Sequence, residues 1–102
     1  MVLFIYVTFE DQQEAEKIGE LLVKEKLVAC VNILPKIKSM YFWKKRFVKT
    51  DETMMIAKCP EKNYHKAEHM IRQLHSAELP EIVAIKVDRG LHDYLSWVRE
   101  LE

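Results

Sequence analysis

Glycine and proline are scarce here, two and three in 102 residues. A chain so poor in both has little room for flexible linkers or disordered tracts. Cysteine is scarce too, and two of them read as thiols rather than as a staple in a reducing compartment. Charge of one sign is missing: 16 basic and 16 acidic side chains cancel. That removes the electrostatic footprint of a nucleic-acid or anionic-membrane partner. No apolar run approaches the roughly 18 residues of a membrane span. The N-terminus has neither the basic region nor the small-residue cleavage site of a signal peptide. The expectation is a cytoplasmic protein of one domain, residues 1–102. Repeats and low-complexity tracts are absent. So are a Gly-rich phosphate loop, a His-Glu-x-x-His pair and a nucleophile signature, and no catalytic residue is assigned.

What the chain does have is apolar surface, 49% of its residues. The longest apolar stretch is the first: Val2, Leu3, Phe4, Ile5, Tyr6, Val7, then Thr8 and Phe9. A strand with one wet face alternates, and this one does not, so both of its faces need cover. Thr53–Ala57 and Ile82–Ile85 are similar. Asp11 with Glu14 three residues later has the form of a capping box, opening a helix to about Lys26 with Ala15, Ile18, Leu21 and Leu22 on one stripe. A second strand starts near Val28 and meets Pro35, which marks a bulge or an edge. Alternation then resumes, with Ile37, Ser39, Tyr41 and Trp43 on one face and Met40 and Phe42 on the other. Lys44-Lys45 is the expected hairpin tip, and the return strand runs from Phe47 to Cys59. Pro60 suits the first position of a second helix, whose stripe is Tyr64, Ala67, Met70, Ile71 and Leu74. A strand at Ile82–Val87 and a last helix through Leu91, Tyr94, Leu95, Val98 and Leu101 complete the chain.

The order is βαββαβ with one further helix, a ferredoxin-like α+β fold on a four-stranded antiparallel sheet. Two helices cover one face. The hairpin arms, about thirteen residues each, far exceed a usual strand of about five or six and overhang the sheet. An overhang carrying Tyr41, Phe42, Trp43 and Phe47 is a poor thing to leave in water. Docking it on another copy of the chain relieves both exposures, with Ser39, Tyr41, Phe42, Trp43 and Phe47 as the expected interface.

The chain resembles the CutA divalent-cation-tolerance family over nearly its whole length. The resemblance is carried by Tyr6-Val7-Thr8, Glu25-Lys26-Leu27-Val28-Ala29-Cys30-Val31-Asn32-Ile33 and Ser39-Met40-Tyr41-Phe42-Trp43. It continues through Leu74-His75, Leu79-Pro80-Glu81-Ile82 and Asp93-Tyr94-Leu95-Ser96-Trp97. Each piece is weak alone; their order and spacing together are specific. The resemblance implies a homotrimer, tolerance to copper and other divalent cations, and metal binding without a settled reaction. By likeness of fold it also implies kinship with trimeric PII signalling proteins, which take small ligands between subunits. Three departures stand out. The family's usual Trp-Glu-Gly-Lys turn is Trp43-Lys44-Lys45-Arg46 here, which predicts a wider or mobile tip because Lys resists positive φ. Its His-Pro-Tyr is His75-Ser76-Ala77. The resemblance also implies, for some members, copper binding by a cysteine just before the strand 1 threonine and two adjacent histidines ending the second helix; Val7, Leu74 and His75 stand at those positions here.

Each candidate has a plain structural reading beside the functional one. His75 is either a metal or cleft ligand or a histidine at a helix C-terminus. Cys30 is the family's cysteine and joins His75 as a metal candidate. With a two-residue tip Cys30 and Cys59 face each other unless Pro35 shifts the register; they are either small buried thiols or a soft-metal or redox pair. Tyr41, Trp43, Lys58, Glu81 and Trp97 are the expected cleft residues, with interface packing as the alternative for the aromatics. His65 and His69 share a helix face at metal-binding spacing or simply face solvent. The leading expectation is a non-enzymatic trimer that binds copper, another divalent cation or a small ligand between subunits. RNA binding through an RRM-like sheet and a purely structural, anchoring trimer stand beside it.

Overall fold

The computed structural model describes residues 1–101. β1 (Val2–Phe9) leads into α1 (Gln12–Lys24), β2 (Cys30–Trp43) and β3 (Arg46–Pro60). A 3-10 turn (Glu61–Asn63), α2 (Tyr64–Leu74), β4 (Ile82–Lys86) and α3 (His92–Arg99) follow. The sheet order is β2-β3-β1-β4, antiparallel throughout. This is the ferredoxin-like α+β arrangement read from the pattern. Among the described residues no helix is long and apolar enough to cross a membrane.

Odd-numbered residues of β1 (Leu3, Ile5, Val7, Phe9) are buried in one cluster with Ala15, Ile18 and Leu22 of α1 and Ala67 and Ile71 of α2. Gly19 lets α1 lie close to the sheet: a Cβ there would stand 3.0 Å from Val31 Cγ1. The other face of β1 carries Phe4 and Tyr6, half-buried. α3 packs on β3 and β1. Its buried Val98, like Val2, lies outside the main cluster, so α3 covers only one end of this second face. The rest stays open: Leu34, Val83 and Ile85 are exposed.

The helix ends depart from expectation in instructive ways. Asp11 caps α1 by accepting from Gln13 N–H, but Glu14 does not complete the box. Its Oε2 accepts instead from Ser76 N–H and Oγ–H, at 3.3 and 3.1 Å. α1 stops at Lys24, and Lys26 takes φ 58°. Lys26 N–H to Val23 O (2.9 Å) and Leu27 N–H to Leu22 O (3.0 Å) form a Schellman close, with lysine where glycine is usual. Pro60 does not open a helix: it ends β3, and a turn of 3-10 helix intervenes before α2.

The hairpin pairs Phe42 with Phe47 and Trp43 with Arg46, so the tip is a tight two-residue turn, not a wide one. Lys44 (φ 52°) and Lys45 (φ 67°) both accept the left-handed conformation. That is the backbone a right-twisted hairpin demands. The register shifts by one residue between Leu34 and Ile37, where Thr53 Oγ1 donates to Pro35 O at 3.1 Å. Consequently Cys30 pairs with Lys58, not Cys59, while Cys59 lies opposite Leu3. The two thiols point to opposite faces. The bulge also decides where the aromatic row goes. Val31 and Ile33 pack against the helix-side core, yet beyond the shift Ile37, Ser39, Tyr41 and Trp43 lie opposite Glu52, Thr50, Val48 and Arg46, on the open face. A one-residue slip exchanges faces.

Candidate functional site

β1 and the overhanging hairpin meet the loop after α2 at a cleft of about 670 Å³. Thr8 ends its floor. Ser39, Met40, Tyr41, Trp43 and Glu52 form the hairpin wall, and His75 through Glu81 the opposite wall, with Glu10 at the rim. The bulge at Pro35 is what turns Tyr41 and Trp43 toward it.

Four carboxylates, Glu10, Glu52, Glu78 and Glu81, line this one space. Glu81 Oε1 accepts from Thr8 Oγ1 at 3.2 Å, which anchors it over the strand end. Two of them reach Tyr6 on the neighbouring strand. Burial first, then the fields of Glu81 and Glu52, hold its phenol above the ordinary value. Lys44 reaches in from the hairpin tip, its Nζ 3.4 Å from Glu78 Oε1, both exposed. Such an exposed pair contributes little.

His75 lines the cleft but is occupied with the fold. Its ring stacks on Phe9 at 4.6 Å between centroids. Nδ1 accepts from Ala77 N–H at 3.0 Å, so Nε2 carries the proton and donates to Thr8 O at 2.7 Å. The ring is neutral in this arrangement, and Glu14 Oε2 at 3.9 Å from Nδ1 is a neighbour rather than a salt-bridge partner. Neither ring nitrogen has a lone pair to offer.

Of the expected cleft residues, Tyr41, Trp43 and Glu81 converge with His75. Lys58, Trp97 and Cys30 are not among them. Lys58 Nζ lies on the open sheet face over the Phe4 ring, 5.5 Å from its centroid, hydrogen-bonded to Asn32 Oδ1 and 3.8 Å from Cys30 Sγ. Trp97 sits on α3 beside Tyr94. His75 and Cys30, the two expected metal candidates, stand apart within the protomer. Thr8, which holds His75, lies opposite Met54 and Cys30 opposite Lys58, four positions or about 13 Å along β3. Glu10, Glu52 and Glu78 were missed by sequence reasoning. No motif joins them, and only the bulge and the loop after α2 bring them together. Among the described residues no three His, Cys, Asp or Glu side chains are grouped closely enough to hold a metal ion.

Comparison with known proteins decides the family. Residues 3–101 match the model of the CutA1 divalent ion tolerance protein. The chain belongs to the CutA1 divalent ion tolerance family. A curated CutA relative, the divalent-cation tolerance protein of Archaeoglobus fulgidus, is 38% identical over 97 residues, spanning 95% of this chain and 94% of its own. Among solved structures, the Cut A1 protein of Thermus thermophilus superposes with a TM-score of 0.94 at 34% identity, covering 99% of this chain and 98% of its own. The Archaeoglobus fulgidus structure, described as a periplasmic divalent cation tolerance protein, gives 0.91 at 37%, covering 96% and 95%. The CutA resemblance is thus borne out over residues 3–101, and with it the ferredoxin-like fold.

Proposed function

We propose that this CutA1 member is a non-enzymatic protein of divalent-cation tolerance, a single-domain protomer that works as a homotrimer and takes a divalent cation or small ligand in the cleft beside Glu81. The observation that carries this reading is the cleft itself: carboxylates, a threonine hydroxyl, Tyr41 and Trp43 lining one space, with one wall supplied by an overhanging hairpin.

The donor set bears on which ion. Carboxylate and hydroxyl oxygens suit hard cations such as Mg²⁺ or Mn²⁺, whereas copper favours imidazole and thiolate. The His75 and Cys30 pair does not fit copper, since His75 has both nitrogens engaged and Cys30 lies on another part of the sheet. An oxygen site at Glu81 and Glu52 needs further donors, which a neighbouring copy can bring. The PII-like reading, a small ligand in place of an ion, is favoured by size, because the cleft falls within the ~300–1,000 Å³ of small-molecule pockets. An anchoring trimer leaves the cleft empty. A cytoplasmic setting is proposed for this chain, whereas the Archaeoglobus fulgidus structure is described as periplasmic.

Titration calorimetry with Mn²⁺ tests the ion. Glu81→Gln is expected to weaken binding at least tenfold, because it removes the anchored charge. Mn²⁺ binding equal in wild type and variant would move the ion elsewhere, and none in either would leave the small-ligand or anchoring reading.

A further inference from the structure

The other three histidines of the chain lie outside the cleft. His92 Nδ1 is 3.4 Å from Asp93 Oδ1, both exposed. His65 and His69 differ: both are exposed on α2, and among the described residues neither ring takes part in a hydrogen bond or ion pair. His65 only rests edge-on against Tyr64, 5.5 Å between centroids. We propose that His65 and His69 form a surface site for a borderline divalent cation, Cu²⁺ foremost, separate from the cleft.

The geometry follows from the helix. Residues four apart project from the same side with Cβ atoms about 5–6 Å apart, a span that two imidazoles close around one ion. α2 buries Ala67 and Ile71, and helical periodicity sets the histidine pair roughly opposite them, where water fills the remaining coordination positions. A neutral imidazole is a good ligand at pH 7.5, and for nitrogen donors Cu²⁺ outranks the other first-row divalent ions. Lys62, Lys66 and Arg72 flank the pair and lower its affinity, an effect that physiological salt screens. Of the acidic neighbours, Glu68 accepts from Tyr64 Oη–H at 3.0 Å and Glu61 lies 3.9 Å from Lys86 Nζ. The inference does not depend on the cleft, since its donors are nitrogens and the cleft offers oxygens.

The test is titration of the tag-free full chain with Cu²⁺ alone at pH 7.5, followed by electron paramagnetic resonance. One ion per chain with the hyperfine pattern of two imidazole nitrogens is expected. Affinity should fall at least tenfold in His65→Gln and in His69→Gln, and the signal should be lost in the double variant. Both positions are exposed and glutamine is a good helix former, so circular dichroism should show the variants folded as wild type. Undiminished Cu²⁺ affinity in the double variant, or a nitrogen pattern that survives it, would overturn the proposal.

Discussion

Burial at Cys59 pushes the thiol from its ordinary 9.0 up to about 11. The unfolded chain releases this proton near pH 9, whereas the folded chain keeps it to about pH 11. The neutral thiol is common to both states at low pH, so its burial costs stability only as pH rises through that window, by roughly 2–3 kcal/mol at the upper end. Tyr6 and Tyr64, also held above their ordinary value by burial first, add in the same direction. Comparing Cys59→Ala with wild type isolates the cysteine: urea titrations at pH 8 and 10.5 should show a smaller alkaline loss in the variant. An equal loss would contradict the burial. The sequence placed both cysteines on the hairpin arms but could not say which faces inward, because that depends on how many residues the Pro35 irregularity absorbs. His75 was legible as a residue near the site. Its spent nitrogens were not, since its partners are backbone groups of Thr8 and Ala77 that no side-chain pattern announces.

The long hairpin is the element on which the site depends. Its length, its tip at Lys44-Lys45 and the shared face of Ser39, Tyr41 and Trp43 were readable from alternation alone. The tightness of the tip was not: the absence of glycine pointed to a wide turn, yet the in-register pairs on either side impose a two-residue one. The cost is local. Two lysines hold the left-handed conformation, each at about 1 kcal/mol relative to a residue that tolerates it. Lys44→Asn with Lys45→Gly gives the residues preferred in this turn and should raise stability by about 1 kcal/mol, measured by chemical denaturation. A loss of stability would mean that the lysine side chains, Lys44 with Glu78 above all, matter more than the backbone. The Pro35 bulge has a larger consequence than the tip, for it sets the aromatic row on the cleft side.

As a whole molecule the chain is too extended and too wet for its size. Its radius of gyration is 14.2 Å, against about 12.8 Å for a compact chain of this length. Its accessible surface is 7122 Å² for 12.2 kDa, about 1,000 Å² more than a compact monomer exposes. Exposed apolar side chains stand on the hairpin overhang (Met40, Phe42, Phe47) and on the face of the sheet that α3 leaves open (Val83, Ile85). The sequence announced both through the unalternating β1 and the overlong arms. The proposed trimer would cover them together and bring further donors to the cleft. The most direct measurement is solution mass by light scattering on dilute protein, with circular dichroism to confirm folding. Trimer formation predicts three times the 12.2 kDa chain mass; a folded species at the mass of one chain would contradict it.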